Sequence, residues 1–68
     1  MHRIRILEFL GKRVQSDLKT ISKNLHIPLN IVRAEVNRLS KEGLIVVEGD
    51  KIKISERGIE ELQNVKGV

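Results

Sequence analysis

Residues 18–45 read LKTISKNLHIPLNIVRAEVNRLSKEGLI. Leu18, Ile21 and Leu25 recur at i, i+3 and i+7, the spacing of one helical face, with the small Ser22 on the same side. Ser16 and Asp17, just upstream, are both favoured N-cap residues, and Asp17 also suits the positive end of a helix. These signals predict a helix over about 16–25. Pro28 pushes Ile27 away from helical geometry and is itself well placed at a helix start. A tight turn is therefore expected at His26–Ile27, and a third helix from about 28 to 42, stopped by Gly43. On that helix Leu29, Val32, Val36 and Leu39 share one side. Asn30, Ala34, Asn37, Arg38 and Lys41 share the other, with Arg33 at its flank and Ile31 apart from the core stripe.

Upstream, Ile4, Ile6, Leu7, Phe9 and Leu10 predict a first helix over about 2–12. Their arc is wider than a single stripe, so a second cover is expected on its far side. Val14-Gln15 reads as a short extended link. Downstream the period changes. Leu44–Val47 is apolar and mostly β-branched, and Lys51–Ile54 alternates strictly. Glu48-Gly49-Asp50 lies between them, which predicts a hairpin over about 44–54. Ser55 then caps a last helix over about 55–64, with Ile59 and Leu62 expected inward and Glu56, Glu60 and Glu61 near its positive end. The fold class expected is mainly α with a small β-hairpin (α+β), in one domain spanning 1–68. Its second and third helices, joined by a short turn, form a helix-turn-helix unit.

Composition narrows the function. A 68-residue chain without cysteine has no disulfide and no Cys-ligated zinc. No apolar run approaches a membrane span and no signal-peptide pattern is present, so a cytoplasmic location is expected. With no Trp or Tyr and one Phe, binding of single strands by base stacking on an aromatic platform is nearly excluded. The net charge is +4. It is unevenly placed. Residues 1–43 hold Arg3, Arg5, Lys12, Arg13, Lys19, Lys23, Arg33, Arg38 and Lys41 against Glu8, Asp17, Glu35 and Glu42, whereas residues 44–68 carry one more acid than base. A phosphate-bearing partner is expected to meet the first two-thirds of the chain.

In order and spacing, these elements resemble a winged helix-turn-helix domain, and small archaeal-type MarR/ArsR-like regulators in particular. The resemblance rests on Leu18, Ile21, Leu25 and Ile27, on Val32, Val36 and Leu39, and on Lys41-Glu42-Gly43-Leu44-Ile45. Ile54-Ser55-Glu56-Arg57-Gly58 is similar to the run that closes the wing in such proteins. It covers residues 4 to 63. His26 stands where the family usually has Gly, Pro28 replaces a common Ser cap, and Ile31 replaces a small or hydroxylated residue. The resemblance implies a three-helix core plus wing and C-terminal helix. It also implies a homodimeric transcriptional regulator that binds double-stranded DNA through the third helix in the major groove.

On that reading Asn30, Arg33, Ala34 and Asn37 are the base-contact candidates. Asn pairs bidentately with adenine and Arg with guanine, and Ala lets the backbone approach. Ser16, Lys19, Thr20, Lys23, Arg38, Lys41, Lys51 and Lys53 are the phosphate-contact candidates, which position without specifying. Ile4, Leu7, Ile59, Leu62 and Val65 are candidates for a two-fold interface. The alternative is a protein–protein interaction module within a larger assembly, for which an exposed Ile31 would speak. No catalytic constellation is present, His2 and His26 lie on different elements with no third metal ligand, and neither a cofactor nor a small-molecule ligand is announced.

Overall fold

The structure, a computed structural model, describes residues 2–66, with side chains through residue 64. The order is α1 (His2–Gly11), α2 (Leu18–Leu25), α3 (Leu29–Lys41), β1 (Ile45–Glu48), β2 (Lys51–Ile54) and α4 (Glu56–Lys66). The chain is mainly α with a two-stranded antiparallel hairpin. No described helix is long and apolar enough to cross a membrane.

One apolar cluster holds these elements. Ile6, Leu7 and Leu10 come from α1, Ile21 from α2, Val32, Val36 and Leu39 from α3, and Leu44, Ile45 and Ile52 from the hairpin region. Ile27 joins them from the turn, and among the described residues no polar side chain is buried with them. Ile31 is half-buried and packs against this cluster, so it is not the exposed apolar residue its wheel position suggested.

The helix bounds lie within two residues of the sequence reading, and the later starts of α2 and α3 have a backbone reason. α2 starts at Leu18 instead of 16, because Ser16 exchanges both backbone hydrogen bonds with Ile52 (2.9 and 2.8 Å) in an isolated antiparallel bridge. Asp17 alone is the N-cap, its Oδ1 accepting from the Thr20 N–H at 2.8 Å. α3 starts at Leu29, with Pro28 extended at ψ 141 and its carbonyl accepting from the Ile31 and Val32 N–H groups.

The turn between α2 and α3 is closed from three sides. His26 adopts the left-handed conformation at φ 57, uncommon for a residue other than Gly. The Ser22 carbonyl accepts from the Ile27 N–H, while the Ser22 hydroxyl donates to the Ile27 carbonyl at 2.6 Å. Arg5 of α1 donates to the Leu25 carbonyl at 2.7 Å, satisfying an orphan helix-end acceptor. α3 ends with Gly43 at φ 78, the Gly43 N–H reaching Ser40 and the Leu44 N–H reaching Leu39.

In the hairpin Glu48 pairs with Lys51, so the turn is Gly49-Asp50 alone, with Gly49 at φ 62. Ser55 caps α4 as expected, accepting from the Gly58 N–H at 3.0 Å and donating to the Gly43 carbonyl at 2.7 Å. Leu62 packs against the core, but Ile59 is 43% exposed instead of inward. The buried Gly58 sets this rotation. Its line along the helix, Gly58 and Leu62, faces the body, and Ile59 falls about 100° away.

Removing the α2 cap gives a pH-dependent expectation. The Thr20 N–H holds the Asp17 carboxyl below its ordinary range, with Lys19 adding to the effect. A depressed folded value means stabilisation that is present above the carboxylate range and is lost as pH falls through it. Thermal melts of Asp17→Ala are expected to show a lower Tm than the parent at neutral pH. That gap should close as the pH approaches 3, the ordinary carboxylate pKa being ~4.

Candidate nucleic-acid interface

α3 presents an uncovered polar face. Asn30, Arg33, Ala34, Asn37, Arg38 and Lys41 are all exposed. They lie on one side because Val32, Val36 and Leu39 turn the other into the core. Arg33 and Asn37 are one helical turn apart, so their side chains share a row. Neither has an ion-pair partner among the described residues. Arg38 sits 3.5 Å from Glu35 but stays largely exposed. Such a surface pair contributes little and is easily exchanged.

Between α3 and the hairpin runs a groove of about 500 Å³ that sequence reading does not reveal. Arg33, Val36 and Asn37 form one wall, Val47 and Asp50 the other, and the start of α2 with Lys19 closes one end. Val36 and Val47 make part of its lining apolar. Val47 is 42% exposed there.

The phosphate candidates separate into three groups. Lys19, Thr20, Lys23 and Lys41 are exposed beside α3 or along α2. Lys51 is exposed at the hairpin tip, whereas Lys53 lies 3.6 Å from Glu48 and is half-buried. Ser16 is a correction. Its hydroxyl is buried without a hydrogen-bond partner and its backbone is engaged by Ile52, so it is not available to a phosphate.

Three arginines on or just after α1 serve the protein itself. Arg3 makes a paired hydrogen bond to the Glu42 carboxylate, which lies below its ordinary pKa on that account. Arg5 holds Leu25. Arg13 donates to the Phe9 carbonyl at 2.7 Å and lies 3.6 Å over the Phe9 ring. The basic excess of residues 1–43 is thus divided between scaffold on or just after α1 and open surface on α2 and α3.

The expected two-fold interface changes as well. Leu7 is fully buried in the monomer core and cannot contribute. Ile4 and Leu62 are half-buried and Ile59 is exposed, while the Val65 side chain lies outside the described ones. Compared with protein-family models and with curated proteins, the chain has no match.

Proposed function

We propose that this chain is a winged helix-turn-helix protein that binds double-stranded DNA sequence-specifically and regulates transcription. The α3 face carries the reading. Its exposed Asn30, Arg33, Asn37 and Lys41 offer base-edge donors and phosphate cations on a helix face left open among the described residues. An α-helix fits the major groove, which is about 12 Å wide. Lys19 and Lys23 flank it on α2, and the hairpin stands across the groove as the wing. A second copy, paired through Ile4, Ile59 and Leu62, would place two such helices on half-sites about 34–36 Å apart. The rival, a protein-docking module, loses one of its supports because Ile31 is half-buried against the core.

The test is fluorescence anisotropy of a labelled random 30-base-pair duplex at several salt concentrations. Six cations (Lys19, Lys23, Arg33, Arg38, Lys41 and Lys51) are exposed on α2, α3 and the hairpin tip. Micromolar binding is expected at low salt, with log affinity falling against log salt at a slope of about −5, from ~0.9 per phosphate. Folded protein that does not bind at low salt would overturn the reading.

A further inference from the structure

We propose that Arg3 of α1 is a positioning residue for DNA binding: it holds the Glu42 carboxylate off Arg38 and Lys41, and so leaves those two cations to the phosphates. This rests on the DNA-binding reading above and names a residue outside the surface that reading uses.

Glu42 is the acid set among these cations. It is the C-cap of α3, next to Lys41, and its N–H donates to the Arg38 carbonyl at 3.1 Å. That bond is the i, i+4 step of the helix, so the Arg38 and Glu42 side chains rise from neighbouring positions on one face. A carboxylate left alone there has two effects. It draws Arg38 into an i, i+4 pair, and its charge repels a phosphate that Lys41 approaches. Glu35, the other acid beside Arg38, does not withdraw it in this way. That pair is 3.5 Å apart and the Arg38 side chain stays 66% exposed.

Arg3 prevents both effects. From 39 positions away its Nη1 donates to Glu42 Oε2 at 2.9 Å, and its Nη2 donates to Oε1. The fork occupies both carboxylate oxygens, the strong and geometrically specific form of an arginine–carboxylate pair. It holds the Glu42 carboxyl below its ordinary range, and Arg38 and then Arg57 act on the same carboxyl through space. Without Arg3 these two cations are what remains to Glu42. Arg57 stands on α4, beside Gly43. Arg38 acts the more strongly and sits in fixed register on the same helix, and its capture removes a phosphate contact.

The test is anisotropy on the random 30-base-pair duplex across salt concentrations. It compares the parent with Arg3→Gln, Glu42→Gln and the double variant. Lys12→Gln, at an exposed position just past α1, is the control for net charge. Arg3→Gln is expected to bind about three- to eightfold more weakly at ~0.1 M salt, with a slope shallower by up to ~0.9, the share of one phosphate. Adding Glu42→Gln to it is expected to restore affinity and slope to within about twofold of the parent, as coupled residues do in a double-mutant cycle. Glu42→Gln alone should bind at least as tightly as the parent. The tie between α1 and α3 is missing from the double variant as it is from the single, so a purely structural role of Arg3 gives no rescue. Circular dichroism melts set a temperature at which every variant is folded. Should Arg3→Gln not fold, Arg3→Lys, which keeps a charge but not the fork, goes through the same cycle with the same sign expected. Unchanged affinity in Arg3→Gln, a loss no larger than that of Lys12→Gln, or a loss that Glu42→Gln does not restore overturns the proposal and leaves the DNA reading standing. A folded parent that does not bind overturns both.

Discussion

Gly58→Ala is expected to remove most of the stability of this protein. An added Cβ would lie within contact distance of the Leu44 carbonyl oxygen, 3.2 Å from the Leu44 carbonyl carbon and 2.6 Å from Ile54 Cγ1. The first of these is backbone. It cannot swing aside, because the Leu44 carbonyl also accepts from the Ser55 N–H at 3.0 Å, at the root of α4. Relief needs α4 to lift, which would uncover Ile54 and separate Leu62 from α1. Overpacking a tight site costs typically 1–3 kcal/mol and more where backbone must move. A core of this size supplies only ~3–5 kcal/mol in all. Urea denaturation followed by circular dichroism is therefore expected to show little or no folded baseline at 25 °C. A midpoint equal to the parent's would mean that α4 does not lie on Leu44. At Gly49 the cause would differ, since no atom lies within 4 Å of an added Cβ and the strain comes from its φ of 62 alone.

On DNA the strongest effect is expected from replacing Arg33 and Asn37 together by Ala. Each is exposed on α3 and absent from every ion pair among the described residues, so neither substitution breaks a salt bridge. The folded state should be unchanged in a thermal melt. A good bidentate base contact is worth about 1–3 kcal/mol of discrimination, so two are worth about 2–6, or at least thirtyfold, on a site selected from a random library. The measurement is anisotropy on the selected duplex and on random duplex with parent and double variant. Random-duplex affinity should fall much less, since only the Arg33 charge is lost from a surface of several. Equal losses on both duplexes would make these residues phosphate contacts instead of base readers.

Local signals explain what was legible in the sequence. The stop of α3 at Gly43, the left-handed His26, the Ser55 cap and the hairpin each depend on residues within one turn of each other. The polar face of α3 was legible for the same reason, being the complement of the Val32, Val36 and Leu39 stripe. What was not legible depends on partners far along the chain. Ser16 reads as a helix cap until Ile52 reaches it. Arg3 reads as surface charge until Glu42, 39 positions away, folds against it. Ile59 reads as inward until the close approach of Gly58 rotates α4. The groove beside Arg33 belongs to three elements at once, and no single periodicity contains it.

The bridge between Ser16 and Ile52 bears on how a force on the hairpin is passed on. Those two hydrogen bonds fasten β2 to the residue before the α2 cap, so the hairpin is hinged at the start of a helix instead of at its own two ends. Glu48 and Lys51 pair beyond that fastening point, and the turn projects from it as a short lever. A load on the tip is therefore delivered to Asp17 and the first turn of α2, the same turn that carries Lys19 and Thr20. Hairpin and helix start behave as one mechanical piece, and whatever bends the first adjusts the purchase of the second.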